Sequence, residues 1–304
     1  MTAPILLPAG DTARLGFAIG LVCFAAFTFA ALFACVKLLG SGYSPLQVLF
    51  LRYGFGLAVS LPFLWRMGPQ LWQTKRPFGH AVRAFYGLAS SMALYYAVTR
   101  MPIATVTAIS FAMPLFLTML SVPLLKESVG WRRATAAVVG FGGVLIIVNP
   151  GSDLNEIALI ALVGAFFYAM AVVSIRQLSM QEPAKRIFFL YAIANIIFAG
   201  ATMPFVWVPP SLEDWVLFAV VGVLGAAAQY AFIVAYRHAP ATVLAPFDYS
   251  QILFALGIGY LAWAETPEPQ SFAGGAVIIA SGIFIWWRER QLARRSRAVG
   301  MRAL

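Results

Sequence analysis

Polar residues punctuate this chain so as to leave ten apolar segments, each near the roughly 20 helical residues needed to cross a bilayer. They cover residues 15–38, 45–66, 79–99, 102–125, 131–148, 154–175, 184–207, 212–237, 240–263 and 270–287. Pro45, Pro102 and Pro240 stand at predicted helix starts, where a missing backbone N–H costs little. Pro114 and Pro246 fall inside segments and predict kinks or local openings. Glycines recur within the segments, at Gly54 and Gly56 and at Gly140, Gly142 and Gly143, where helix backbones could approach closely. The connections are short, the longest running from Met67 to Phe78, so no soluble domain is inserted. Residues 1–14 are short and contain proline, unlike a signal peptide, and 15–38 is expected to be an uncleaved first helix.

Charge then orients the segments. Alternate gaps hold Arg14, then Arg66, Lys75, Arg76 and Arg83, then Lys126, Arg132 and Arg133, then Arg176, Lys185 and Arg186, then Arg237 and an arginine-rich tail. The other gaps hold only Lys37 and Arg100 among basic residues, but carry Asp153, Glu156, Glu213, Asp214, Glu265 and Glu268. Excess Lys and Arg mark cytoplasmic loops. Both termini are therefore expected in the cytoplasm, with residues 288–304 a basic tail beside anionic headgroups.

The pattern repeats. Pro102 to Glu127 aligns without gaps on Pro240 to Glu265, so that Phe116 meets Phe254 and Glu127 meets Glu265. Upstream, Phe27 matches Phe166, Phe50 matches Phe189 and Lys37 matches Arg176. Each half holds five segments, and an odd number places the second half in the membrane upside down. The expected fold is an all-α polytopic membrane protein, ten transmembrane helices in two inverted five-helix repeats at 14–148 and 154–287. Inverted repeats are a recurrent construction of secondary transporters, with the binding site near the midplane between the halves.

Several stretches also resemble a known family. Phe111 to Phe116 with Leu125-Lys126-Glu127, Asp248-Tyr249 with Gly259-Tyr260-Leu261 and Glu265, and Gly140 to Ile146 followed by Asn149-Pro150 are similar to EamA-type permeases of the drug/metabolite transporter superfamily. The resemblance covers roughly residues 14–287. It implies a carrier of the bacterial inner membrane without ATPase machinery, whose relatives move amino acids, riboflavin, S-adenosylmethionine, nucleotide sugars and other metabolites. It also implies a central cavity bordered by the third, fourth, eighth and ninth helices.

Two charges fall inside apolar segments. Asp248 is expected about eight residues into the ninth segment, where an isolated carboxylate costs about 2.5–3.5 kcal/mol even on lenient insertion scales. It is a candidate proton-coupling group or anchor for a substrate cation; the alternative is a structural carboxylate hydrogen-bonded to a neighbour. Arg52 is a candidate ligand for a substrate carboxylate or phosphate, since its fork of donors suits both; the alternative is a side chain that reaches out to the interface. Gln229, Tyr230, Tyr95, Tyr96 and Gln251 complete the candidate set. The other intramembrane polar groups are expected to join helices.

Composition sharpens the exclusions. Hydrophobic residues make up 62% and charged ones 11%, against about a quarter charged in soluble domains. The net charge of +10 follows from orientation in the bilayer and calls for no nucleic acid. No Gly-rich phosphate loop and no catalytic constellation is present, and His80 and His238 lack a second ligand at metal-site spacing. No cofactor is implied. The expected partners are a small-molecule substrate and the lipid bilayer; the driving force is either the proton gradient through Asp248 or the cargo gradient alone, and a homodimer stays open. A secondary transporter of a small metabolite, an amino acid derivative or a riboflavin-like vitamin, is the leading expectation. An efflux exporter and a passive facilitator are the alternatives.

Overall fold

A computed structural model of the protein describes residues 12–113, 115–117, 119–120, 131–148, 156–179, 181–238, 244, 247–266, 268–270, 272–281, 283–284 and 287. Among these, regular structure is helical throughout. In chain order the helices are α1 (Thr12–Leu39), α2 (Pro45–Leu64), α3 (Pro77–Val98), α4 (Ile103–Ser110), α5 (Trp131–Val148), α6 (Glu156–Ser179), α7 (Ala184–Gly200), the single turn α8 (Met203–Val206), α9 (Leu212–His238), α10 (Ser250–Trp263) and α11 (Phe272–Ser281). Among the described residues, four stretches are long and apolar enough to cross a membrane: Leu15–Gly42, Pro45–Leu71, Glu156–Ile175 and Leu212–Tyr236.

Local chemistry sets the helix ends. Gly40 adopts a φ of 67° just beyond α1, a left-handed conformation open to a residue without Cβ. Ser44 caps α2, accepting from the Leu46 N–H, and Pro45 fills its first position. Past α10, Ala264 takes a φ of 52°, and its N–H reaches back to the Tyr260 carbonyl at 2.9 Å, closing a left-handed cap.

Two expected helices differ from the sequence reading. The fourth segment is regular only through Ser110; Phe111 and Ala112 form a turn before helix resumes at Met113. The ninth becomes a continuous helix only at Ser250, after a turn at Tyr249. The breaks fall at matching positions of the repeat, Phe111 and Tyr249, and the two rings pack on each other with centroids 4.7 Å apart. Pro114, Pro246, Glu127 and the tail from 288 lie outside the described residues.

The closest helix pairings join the first half of the chain to the second. α1 packs along α9 and α10, α2 lies between α9 and α7, α3 lies against α6 and α7, and α4 contacts α10 and α6. Exchanging the halves turns the α1–α9 pairing into the α3–α6 pairing. Side chains obey the same exchange: Phe27 meets Phe254 edge-on at 5.4 Å, and their repeat partners Phe166 and Phe116 also meet edge-on at 5.4 Å. Other large apolar side chains, such as Phe17, Phe24 and Val216, face outward, while Leu49, Ile109 and Phe218 are buried in the bundle. Trp65, Trp72, Trp207, Trp215 and Trp287 are exposed, while Trp263 is half-buried and Trp286 lies outside the described residues.

The α2–α9 contact is a backbone-to-backbone approach. A Cβ on Gly222 would lie 2.4 Å from the Phe55 Cβ and 2.9 Å from the Gly56 nitrogen. Gly54, on the same helix as Gly56, has open space around it. Gly222→Ala should therefore destabilise the protein by about 1–3 kcal/mol, the usual cost of overpacking. Gly54→Ala should be neutral or slightly stabilising through helix propensity. Thermal unfolding of the two variants in detergent checks the contrast; equal melting temperatures would contradict it.

Candidate functional site

Where the two halves meet, a cavity of about 720 Å³, counting the space at its mouth, lies in the bundle interior. Its walls come from α1 (Phe29, Leu32, Phe33), α2 (Arg52), α3 (Arg83, Ser90, Tyr95), the end of α4 (Ser110), α6 (Tyr168, Ala171), α7 (Tyr191), α9 (Gln229, Phe232) and α10 (Gln251). Repeat-related residues face it together: Phe29 with Tyr168, Leu32 with Ala171, and Arg52 with Tyr191. A second, smaller pocket, about 390 Å³ with the space at its mouth counted likewise, shares Phe29, Ser110, Tyr168, Phe232 and Gln251 with the first and adds Asp248 to its wall.

Arg52 lies seven positions after the proline that opens α2 and is 4% exposed. It rests on the bare backbone of α9: a Cβ on Gly225 would come within 2.3 Å of its Nε. The guanidinium faces the Tyr53 ring at 5.0 Å and the Tyr95 ring at 5.7 Å. Arg83, also 4% exposed, lies over Gly87 of its own helix and over the Tyr191 ring at 4.0 Å. A hydrogen bond of 2.8 Å between the Tyr53 and Tyr191 hydroxyls joins the two arrangements. Cations over tyrosine faces are stabilised by the ring quadrupole, by about 2 kcal/mol when desolvated.

Asp248 stands at the interrupted start of α10, and its carboxylate accepts a hydrogen bond from the Tyr236 hydroxyl on α9. Among the described residues neither arginine reaches a carboxylate within 4.0 Å, and Asp248 has no basic partner at that distance.

Of the sequence candidates, Arg52, Tyr95, Gln229 and Gln251 line the main cavity, and Asp248 lines the adjoining chamber. Tyr96 and Tyr230 do not line either one. Tyr96 carries the Arg100 guanidinium over its ring at 3.8 Å, and Tyr230 packs edge-on against Phe63 and Phe188. Arg83 corrects the charge map. Counted there among the gap residues, it sits almost two turns inside α3, and the signal for this was its place within the segment 79–99. Tyr53, Tyr168, Tyr191 and Tyr236 were also passed over. Tyr191 alone carried a sequence cue, its alignment with Arg52 in the repeat.

The sequence profile of the EamA-like transporter family matches residues 16–149 and again 155–287. The chain belongs to this family. It is a multi-pass membrane protein of a transporter family. This EamA-like protein is 29% identical over 259 residues to an S-adenosylmethionine uptake transporter of Rickettsia prowazekii, covering 84% of this chain and 87% of that one. It is 29% identical over 266 residues to the pseudopaline exporter CntI of Pseudomonas aeruginosa (85% and 92% covered). Against a riboflavin transporter of Vibrio cholerae the identity is 29% over 262 residues (85% and 88%). A solved crystal structure superposes with a TM-score of 0.61 at 17% identity, covering 94% of this chain and 98% of that one, which establishes likeness of fold.

Polar clasps join helices at both ends of the EamA-like bundle. At one end Lys37 on α1 pairs with Glu265 beyond α10 and donates to the Met101 carbonyl at 2.9 Å, while Glu265 accepts from the Ile103 N–H at 3.0 Å. At the other end Glu182, between α6 and α7, accepts from Thr74 at 2.7 Å and from Arg186, with His80 nearby. Burial pushes the Glu182 carboxyl up, but the hydrogen bonds from Thr74 and Arg186 and the neighbouring positive charge outweigh it and hold its pKa below the usual carboxylate value. A depressed pKa contributes stability that is present above the unfolded value and is lost as pH falls through the folded one. The wild-type melting temperature should thus drop more steeply below the ordinary carboxylate range than that of Glu182→Gln. Parallel melting curves from pH 3 to 7 would remove this role.

Proposed function

We propose that this chain is a secondary transporter of a small organic metabolite, working by alternating access in a bacterial inner membrane. Ten spans form two five-helix repeats, 14–148 and 154–287, inserted in opposite orientations, with both termini and the basic tail 288–304 in the cytoplasm. The observation that carries the reading is the cavity at the junction of the two halves, walled by matching positions of both and reached by two interrupted helices. Interrupted helices at the repeat interface are where carriers of this construction bind cargo.

The cargo occupies the main cavity, where Arg52, Tyr95, Gln229 and Gln251 contact it. Asp248 carries the coupling proton, relayed through Tyr236, and its position at the break in α10 ties its protonation to movement of that helix. Tyr96 and Tyr230 support the helices that carry these groups. The clasp of Lys37 with Glu265 closes the outer end in the described conformation and opens when the halves rock. A closed end favours a carrier over a passive pore. Similarity to uptake transporters and to an exporter supports a metabolite cargo of the amino acid derivative or vitamin kind and leaves direction to experiment.

Metabolite profiling of cells and medium, comparing wild type, Asp248→Asn and empty vector, tests the reading. Wild type should deplete one metabolite from the medium and accumulate it inside for uptake, or the reverse for export. Asp248→Asn should reduce that flux by about tenfold or more, as expected for a functional intramembrane carboxylate. An unchanged metabolite profile for wild type against empty vector would remove the transporter reading. Equal fluxes for wild type and variant would remove Asp248 from the mechanism.

A further inference from the structure

Arg52 and Arg83 are the unusual pair of this interior. Both side chains are more than nine-tenths buried and line one cavity, yet among the described residues neither meets a carboxylate. The Arg52 Nε and the Arg83 Nε and Nη1 make no hydrogen bond, and the Tyr95 hydroxyl between the same helices is also without one. A guanidinium out of reach of water loses far more hydration than tyrosine faces restore, so a buried charge is normally paired. Here the tyrosines hold the cations in place without neutralising them.

Their positions are built. Gly225 leaves room for Arg52 and Gly87 for Arg83, and in both cases a single added Cβ would collide with the guanidinium. The acid that lines the adjoining chamber, Asp248, is engaged by Tyr236. Two fixed cations and one displaced acid leave the cavity with excess positive charge. Phe29, Leu32, Phe33 and Phe232 give the wall an apolar part, beside the polar Ser90, Ser110, Gln229 and Gln251.

Building on the transporter reading, we propose that the cargo is an organic anion whose carboxylate or phosphate group is bound by Arg52 and Arg83 together. Its apolar body lies against the phenylalanines. Guanidinium forks match the paired oxygens of either group, and the missing counter-charge arrives with the cargo. Binding therefore neutralises the site, and the loaded form is the one in which the interior charge is balanced.

Purified protein in nanodiscs, titrated with phenylacetate, phenyl phosphate and phenethylamine, tests this by calorimetry and melting temperature. The three share an aromatic body and differ in the charged group. At least one anion should bind and raise the melting temperature, the amine should do neither, and the stronger anion identifies carboxylate or phosphate as the preferred group. Arg52→Gln and Arg83→Gln should each weaken the anion at least tenfold. Without ligand both variants should melt no lower than wild type, because each removes an unpaired buried charge. Arg83→Lys should retain part of the affinity by keeping charge without the fork. Failure of both anions at millimolar concentration, amine binding as tight as the anion, unchanged affinity in the Gln variants, or a lowered ligand-free melting temperature overturns the proposal. The two readings fail separately. A profiled metabolite with no acidic group removes the anion site and leaves transport standing, whereas tight anion binding with no metabolite moved does the opposite.

Discussion

Close approach of α2 and α9 through glycine is the contact on which the rest of the interior depends. Gly56 and Gly222 bring the two backbones together, and Gly225, about one turn further along α9, leaves the space into which the Arg52 side chain folds. One packing solution therefore joins the two halves of the chain and holds a cation at depth. Lipid offers helices no hydrophobic reason to associate, so intimate packing and polar contacts must supply it. The polar supplement is visible at the periphery: Gln47, fully buried at the start of α2, exchanges two hydrogen bonds with the backbone of Val208 in the segment between α8 and α9.

The second constraint is the interruption of two repeat-related helices. An unbroken helix satisfies its own backbone and gives lipid no polar group. Breaking α4 after Ser110 and delaying α10 to Ser250 is tolerable because both sites face the interior, where Phe111 and Tyr249 cover one another. The break also sets Asp248 at the edge of a chamber instead of on a continuous helical face, within reach of Tyr236. Acid and arginines are thereby held apart in connected spaces, an arrangement that prevents them from neutralising each other.

The repeat, the apolar segments and the two charges inside them were legible in the chain because each is a one-dimensional signal. Hydropathy reports what a segment excludes from water, and an alignment of Phe116 on Phe254 needs no coordinates. Depth and facing are different quantities. Arg83 counts as a gap residue when charges are assigned to intervals, because such counting does not ask how far a side chain extends into its helix. Tyr95 and Tyr96 are indistinguishable as neighbours in sequence, yet helical geometry turns successive residues about 100° apart. One lines the cavity and the other lies under Arg100.

By itself, then, the sequence determined the helical class, the two-fold repetition and the presence of costly charges at Arg52 and Asp248. Those follow from solvent preference and periodicity, which belong to each residue and its near neighbours. Tertiary structure alone decided which cations share a cavity, that Tyr53 and Tyr191 join their supports, and that Asp248 turns to Tyr236 and away from both arginines. These depend on how side chains from helices far apart in the chain meet, and in a bundle whose surfaces are uniformly apolar that is governed by where small residues let two backbones touch.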